Sequence, residues 1–313
     1  MKLAIKDVEK LKVIEMPYRN LRFTHFRREF DDYKLCGLYY KTGKPFEVVQ
    51  VHYPEEDFDK GYGEFYPRDP EKYSKAFGVQ NSYICAEAKK AAENGECILL
   101  TGGGCDHIQG ILGGLRQAFG KDQKVGFIWL DAHGDYNTPD ISLTGRPGGM
   151  CLSVCTGEWG DEWRIGAGIE EPIPFHNVLM SDARELDPLE KALIESRDIV
   201  VVDTDGFNDE TKWRKAIEEF ASRVDYLVLH IDQDIIDARY IPNSWTPASG
   251  GPSLETIMRN VKIIMDTDKV AAMSMVSVTF INNKPGQEER TINAMRVVGA
   301  CLENWNRFPA ITE

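Results

Sequence analysis

The sequence predicts an α/β protein in which a mostly parallel central sheet carries helices on both faces. Two observations predict this fold: apolar, β-branched runs recur along the 313 residues, and segments with helical spacing lie between them. The runs are continuously apolar, not alternating, which is typical of strands buried on both faces of a parallel sheet. Strands and helices that alternate in this way indicate one α/β domain.

The predicted elements follow one another along most of the chain. The predicted strands are FEVVQVHY (46–53), CILLTGG (97–103), VGFIWLDAH (125–133), NVLMSD (177–182), DIVVVDTD (198–205), YLVLHIDQD (226–234) and VAAMSMVSVTF (270–280). The predicted helices lie at 81–94, 111–119, 188–196, 210–223, 253–266 and 288–305. Residues 1–45 lack clear periodicity. The sequence therefore predicts a single domain over 1–313, with residues 1–45 as an N-terminal extension that packs on the rest.

The composition excludes several classes of function. The formal net charge of −13 argues against nucleic acid or an anionic membrane as the partner. The chain has no apolar run of about 18 residues that would span a bilayer, and its first residues are too charged for a signal peptide. The seven cysteines are scattered, so we expect free thiols in a reducing, cytoplasmic environment.

Polar residues cluster where four of the predicted strands end. The clusters are GGGCDH (102–107), DAHGDYNTP (131–139), DQDIIDARYIP (232–242) and TFINN (279–283). In open parallel sheets, ligands bind beyond the carboxyl ends of the strands. We therefore expect these clusters to meet at one edge of the sheet and to form a site there.

The second and third clusters have the spacing of a metal site. Asp131, His133 and Asp135 alternate along the chain, and alternate residues of an extended segment share a face. Asp232 and Asp234 repeat this spacing. Four neighbouring carboxylates repel one another, so without a cation some would have to take up protons. Oxygen-rich ligand sets with one or two imidazoles suit Mn²⁺ better than the thiolate-rich sets of structural zinc.

Three residues near these motifs have more than one interpretation. Cys105 is a metal ligand, a nucleophile or a buried inert thiol. His230 shares a strand face with Asp232, and it is an ordinary core histidine or a support for the metal ligands. Asp237 is expected to orient the loop that follows it.

The motifs resemble a known superfamily. DAHGDYNTP, followed by HIDQDIIDARYIPNSWTPASGG (230–251), is similar to the arginase–agmatinase–formiminoglutamase (ureohydrolase) superfamily, whose pattern is DAHxDxN and then SxDxDxxDP. The resemblance extends over residues 95–305. It implies a three-layer α/β/α sandwich with a mostly parallel central sheet, and a homo-oligomer.

The resemblance also implies a centre with two manganese ions. The metal ligands that it implies are Cys105, Asp131, His133, Asp135, Asp232 and Asp234. Asp131 and Asp232 would bridge the two ions. Asp135 and Cys105 would complete the first site, and His133 and Asp234 would complete the second. A bridging hydroxide would then attack a guanidino-type carbon, and Asp135 would be the catalytic residue that holds and deprotonates it.

The same resemblance implies a set of substrate-binding residues. RELDPLE (184–190) is similar to a family segment that binds the α-amino end of the substrate, and Asn137 and Thr144 match positions that contact the α-carboxylate in arginases. The implied substrate-binding residues are Asn137, Thr144, Asp187, Glu190, Thr246 and Thr279.

The chain departs from the family pattern at three positions. Cys105 takes the place of a metal-binding His, so the first site is expected to bind Mn²⁺ weakly or to take another metal. Gly148 takes the place of a proton-shuttle His. Thr279 takes the place of a Glu that grips the guanidinium in arginases, which argues against plain arginine and favours a less basic group.

The predicted function is a metal-dependent hydrolysis of a linear C–N bond in a small guanidino, hydroxyguanidino or formimino compound. One alternative is a degenerate member of the superfamily, with weak or absent metal binding, that acts as a binding or regulatory protein. A second alternative is a thiol hydrolase in which Cys105 is the nucleophile, with His107 beside it.

Overall fold

The fold is built on a sheet of eight strands in which every neighbouring pair is parallel. The computed structural model describes residues 2–19, 21–23, 27–53, 69–278 and 285–312. The strands of this sheet are β2 (Leu11–Met16), β5 (Phe46–Gln50), β6 (Cys97–Gly102), β7 (Val125–His133), β8 (Val178–Glu185), β9 (Val200–Asp203), β10 (Tyr226–Asp232) and β11 (Val270–Val276). Their order across the sheet is β5-β2-β6-β11-β10-β7-β8-β9.

Two antiparallel pairs lie outside this sheet. They are β1 (Lys2–Asp7) with β12 (Arg307–Thr312), and β3 (Tyr18–Arg19) with β4 (Arg22–Phe23). The helices of the described residues are Arg27–Leu35, Pro70–Glu93, Ile108–Phe119, Cys151–Thr156, Asp161–Gly166, Pro188–Glu195, Thr204–Asn208, Glu210–Ser222, Leu254–Met265 and Gln287–Asn304. Each of them is too short or too polar to cross a membrane.

Helices cover both faces of the sheet, as the continuous apolar runs predicted. Along β6, Ile98 and Leu100 belong to one apolar core and Leu99 to the other. The first core includes the helices Pro70–Glu93 and Ile108–Phe119, and the second includes the helices of the chain's last hundred residues. The predicted α/β/α sandwich with its mostly parallel sheet is confirmed, and all seven predicted strands and six predicted helices are present.

The sequence predicted no strand in residues 1–45, yet β2 lies inside the sheet between β5 and β6. Lys12 and Glu15 interrupt its apolar pattern, although they are only 3% and 0% exposed. The ammonium of Lys12 contacts the carboxylate of Glu47 at 2.8 Å, and Glu15 accepts a hydrogen bond from Tyr39 at 3.2 Å. Burial of β2 therefore depends on partners distant in sequence, which no local pattern reveals.

The strand order brings three of the four polar clusters to one edge of the sheet, and the fourth, TFINN, lies outside the described residues. The strands β6, β11, β10 and β7 are neighbours, and because they are parallel, their carboxyl ends lie at one edge. After β6 the chain turns sharply, since Gly102 and Gly103 have φ angles of 78° and 69°. This left-handed pair leads into a short 3₁₀ helix, Cys105–His107, that starts at the same edge.

Close packing of the helix Ile108–Phe119 depends on a glycine. A Cβ added at Gly113 would lie 1.8 Å from the backbone oxygen of Ala167, which cannot move without the chain around it. We expect Gly113→Ala to lower the free energy of unfolding by about 1–3 kcal/mol, as for other overpacked cores. Urea unfolding followed by circular dichroism measures it.

Gly149→Ala is the matched control, because nothing lies within 4 Å of its added Cβ and its φ of −82° suits alanine. The packing argument fails if the two variants unfold at the same urea concentration.

Candidate metal centre

Four neighbouring strands bring the predicted ligands together at one edge of the sheet. Cys105 follows β6, Asp131 and His133 end β7, Asp232 ends β10, and Ser277 follows β11. All five are buried except His133, whose side chain is 29% exposed. The side of the cluster that faces the sheet is therefore shielded from solvent, and the cluster is accessible to solvent near His133.

The first group of potential ligands contains a thiol. One ligand atom each from Cys105, Asp131 and His230 lie within 4.8 Å of one another. The Cys105 thiol donates to Oδ2 of Asp232 at 2.9 Å, and the Ser277 hydroxyl donates to the same oxygen at 2.5 Å. Asp232 thus adjoins this group and is held from two sides.

The second group contains oxygen and nitrogen donors. One ligand atom each from Asp131, His133 and Asp234 lie within 4.8 Å of one another. Nδ1 of His133 lies 3.3 Å from Oδ1 of Asp131 and 3.2 Å from Oδ2 of Asp234. The Thr246 hydroxyl donates to that Asp234 oxygen at 2.5 Å. Asp131 belongs to both groups, which is the position of a bridging ligand.

The buried negative charges of the cluster favour the binding of positive charge. Burial raises the pKa of Asp131 well above its usual range, and the charges of Asp234, Asp135 and Asp232 add to the shift. Burial and the charge of Asp234 raise the pKa of Asp232 to about 7. Burial lowers the pKa of His133, but hydrogen bonds and charges from Asp131 and Asp234 outweigh it and raise the pKa to about 12. Bound protons thus neutralise the carboxylate charge that metal cations would otherwise neutralise.

The donors fit two divalent cations. The second group offers carboxylate oxygens and one imidazole, a set that suits Mn²⁺. In the first group, Nε2 of His230 is buried and has no hydrogen-bond partner. A buried nitrogen left without a partner is costly, and a metal ion would satisfy it.

Asp135 lies on the loop after β7 in a strained conformation. Its φ of 46° is in the left-handed region, and its carbonyl accepts hydrogen bonds from the backbone amides of Leu152 and Ser153 at 2.9 and 3.3 Å. Burial raises the pKa of the Asp135 carboxyl well above its usual range, while the charge of His133 opposes that shift. The loop therefore aims a buried carboxyl at the first group, as strained residues at active sites often do.

The surroundings of Cys105 oppose a role as nucleophile. Burial raises the pKa of its thiol well above the usual range, and the charges of Asp232, Asp135 and Asp131 raise it further. A nucleophilic cysteine needs the opposite environment, one that favours the thiolate. Nδ1 of His107 accepts a hydrogen bond from the backbone amide of Gly104 at 3.1 Å, so this ring is bound to its own loop.

Three of the predicted substrate-binding residues lie together beside the loop that carries Asp135. Nδ2 of Asn137 donates to Oδ2 of Asp187 at 3.3 Å, and its buried Oδ1 has no hydrogen-bond partner. The Glu190 carboxylate accepts hydrogen bonds from the amides of Tyr136 at 2.9 Å and Asp187 at 3.1 Å. Glu190 therefore fixes both the loop and the start of the helix Pro188–Glu195.

The remaining predicted substrate-binding residues are spread more widely. Thr144 is exposed, and its hydroxyl oxygen accepts a hydrogen bond from the amide of Arg146 at 3.3 Å. Thr246 contacts Asp234, as described above. Thr279 lies outside the described residues. The substrate contacts of all six residues stay predictions.

Some residues around the site were underestimated or missed from the sequence. The signal for His230 was its alternation with Asp232, which placed it on the same strand face. Arg184 was not singled out, yet its guanidinium donates to the carbonyls of Asp234 and Ala248, both at 3.0 Å. Asp237 orients its loop as expected, because its Oδ2 accepts a hydrogen bond from the amide of Gly250 at 2.9 Å.

Comparison with curated proteins finds arginases that are similar to this chain. Arginase from Staphylococcus aureus (strain COL) is 29% identical over 204 residues, which are 63% of this chain and 65% of that protein. Arginase from Brucella melitensis biotype 1 is 26% identical over 190 residues, which are 59% of this chain and 62% of that protein. The chain thus spans about 65% of the length of the first of these relatives.

Solved structures share the fold at low sequence identity. Entamoeba histolytica arginase, solved in complex with L-ornithine, has a TM-score of 0.80 at 19% identity, with 95% of this chain and 99% of that chain covered. Formimidoylglutamase from Bacillus subtilis has a TM-score of 0.67 at 12% identity, with 96% and 89% covered. The family model described as "Arginase family" matches residues 44–302. The chain therefore belongs to the arginase family.

Proposed function

We propose that the chain is a metal-dependent hydrolase of a linear C–N bond in a small guanidino, hydroxyguanidino or formimino compound. The observation that carries the proposal is the pair of ligand groups that share Asp131 at the carboxyl edge of the sheet. Family membership supports it. The proposal takes Mn²⁺ as the cation of the oxygen-rich second group.

The proposed chemistry divides between the cations and the protein. Two cations held by the residues of the two groups would lower the pKa of water and polarise the carbon to be attacked. Asp135 accepts the proton of the attacking water, because its buried carboxyl is close to Cys105 and is fixed by the loop backbone. Water adds to the carbon, the C–N bond breaks, and the released amine takes the proton that Asp135 accepted.

The far end of the substrate is assigned to the Asn137 region. The unpartnered Oδ1 of Asn137 is a buried acceptor that a substrate N–H group would satisfy. Asp187 accepts from the same side chain and is partly exposed, so it offers negative charge to an amino group. Thr246 and Glu190 act through other residues: Thr246 holds Asp234, and Glu190 holds the backbone of Tyr136 and Asp187.

The sequence argues for a less basic reacting group than guanidinium. Thr279 stands where arginases have the gripping Glu, so a full positive charge would lack its carboxylate partner there. A hydroxyguanidino or formimino group needs that partner less. The cytoplasmic location and the homo-oligomer stay predictions from the sequence.

A substrate panel tests the proposal directly. The protein is incubated with added Mn²⁺ and with arginine, N-hydroxy-arginine, agmatine, other guanidino compounds and N-formimino-glutamate, and urea, hydroxyurea and formamide are measured. We expect turnover of at least one compound, and faster turnover of hydroxyguanidino or formimino compounds than of arginine. Metal-loaded protein that turns over none of them contradicts the hydrolase and supports a binding protein.

Asp135→Asn tests the role of the proton acceptor on whichever substrate the panel identifies. We expect kcat to fall by about 10²- to 10⁴-fold, the usual contribution of a positioned acid or base, with intact folding by circular dichroism. Asp140→Asn is the matched control, since Asp140 is exposed on the same loop. Equal kcat values for the two variants would show that Asp135 is not the proton acceptor.

The pH dependence of metal binding tests the cation site without a substrate. Because the carboxyl pKa values of Asp131 and Asp232 are raised, the latter to about 7, protons compete with metal more strongly at pH 6 than at pH 8. Without metal, these raised values make the chain less stable as the pH rises above about 4, the unfolded value. A fixed Mn²⁺ concentration should therefore raise the Tm more at pH 8 than at pH 6.

Differential scanning fluorimetry at both pH values measures this difference. Asp131→Asn, which removes the shared ligand, should abolish most of the increase. An equal increase in Tm at both pH values, or an unchanged increase in the variant, speaks against metal binding by this cluster.

A further inference from the structure

His230 is held rigidly beside the metal centre. It lies in β10, is fully buried, and its Nδ1 lies 2.7 Å from the hydroxyl of Ser274 on the neighbouring strand β11. Its ring stacks on Trp129 of β7, the neighbour on the other side, with ring centres 3.9 Å apart. Both adjacent strands therefore fix the plane of this imidazole.

The other ring nitrogen has no hydrogen-bond partner. Nε2 is buried, and a ring nitrogen of His230 lies within 4.8 Å of potential ligand atoms of Cys105 and Asp131. Since Ser274 occupies Nδ1, Nε2 is the nitrogen left for a ligand. Histidines that bind metals typically use one nitrogen for the ion and the other for a hydrogen bond that orients the ring.

We propose that His230 is a direct ligand of the first metal site, and that its nitrogen and the Cys105 sulfur make this site select Zn²⁺ or Co²⁺ over Mn²⁺. The inference rests on the proposed function only in that a metal centre is present. It assigns a ligand that lies outside the set implied by the motifs.

The two unusual residues of this site complement each other. In the family pattern quoted above, a His stands at the place of Cys105 and a Ser at the place of His230. This chain has a thiol on the loop, where the pattern has an imidazole, and an imidazole on the strand, where the pattern has a hydroxyl. The exchange keeps one ring nitrogen at the centre and adds a sulfur.

The donor sets of the two sites then differ in softness. The first site has sulfur and nitrogen beside the carboxylates of Asp131 and Asp232, a mixture that favours borderline ions such as Zn²⁺ and Co²⁺. The second site keeps carboxylates and the single imidazole of His133, which favours Mn²⁺. The centre would therefore hold two different metals.

Titration of the metal-free protein with Co²⁺ tests the inference, because cobalt reports its ligands by absorption. We expect a thiolate-to-cobalt charge-transfer band in the near ultraviolet at the first equivalent. Cys105→Ser should remove the band. Cys151→Ser should leave it, since Cys151 is another buried thiol, outside the ligand set.

His230→Ser is the decisive variant. Loss of a residue that only orients a metal ligand weakens metal binding by roughly 10- to 100-fold. We expect His230→Ser to weaken Co²⁺ binding at the first site by more than that. The double variant Cys105→His/His230→Ser should lose the band and bind Mn²⁺ at both sites. Wild-type affinity and an unchanged visible spectrum in His230→Ser would overturn the proposal.

A measurement on the wild type covers the case in which His230→Ser fails to fold. In the proton spectrum of the cobalt-loaded protein, each ligating histidine contributes one strongly shifted, exchangeable ring N–H signal. We expect two such signals, from His133 and His230, and a single signal would overturn the assignment.

The selectivity is tested on the same wild-type protein, equilibrated with free Mn²⁺ in large excess over free Zn²⁺, because Mn²⁺ is the weaker binder at most sites, and analysed by elemental analysis. One Zn²⁺ and one Mn²⁺ per chain is expected, and two Mn²⁺ would refute the selectivity. None of these readouts uses a substrate. A protein with the expected metals and no turnover would therefore refute the hydrolase and leave the His230 assignment standing.

Discussion

Burial of four aspartates around the ends of two adjacent strands creates a repulsion that the surrounding residues must offset. The four are Asp131, Asp135, Asp232 and Asp234. Hydroxyls, a thiol, an imidazole and backbone amides all donate into this cluster, and the thiol and the two hydroxyls come from three different segments of the chain. Strand order, glycine turns and the strained loop after β7 bring these donors together. Much of the structure at this edge of the sheet therefore stabilises one cluster of negative charges.

The fold was predictable wherever burial depends on local sequence. Continuous apolar runs marked seven strands of the sheet, and helical spacing marked six helices, because each of these elements buries its own side chains. β2 was not predictable in this way. Its Lys12 and Glu15 are buried only because Glu47 and Tyr39, from later parts of the chain, neutralise or hydrogen-bond them. A strand whose burial depends on distant charges has no local signature.

The candidate site was predictable to the extent that its residues alternate along strands. Asp131 with His133, and Asp232 with Asp234, have a spacing that few structural roles explain, so the proximity of Asp131, His133 and Asp234 could be predicted from the sequence. His230 has the same alternation but remained ambiguous, since Ser274 and Trp129, which orient its ring, lie on other strands. The lack of a hydrogen-bond partner for the buried Oδ1 of Asn137 could be recognised only in the structure.

The strand order also determines when this site can exist during folding. β6 pairs with β11, so the loop that carries Cys105 and the segment that carries Ser277 come from opposite halves of the chain. Pairings of such high sequence separation form slowly, because loop-closure entropy is lost before the contacts compensate for it. We therefore expect the donors Cys105 and Ser277 to join the acidic cluster late in folding. A nascent chain would not carry a complete cation site until β11, which lies between β6 and β10 in the sheet, had been synthesised.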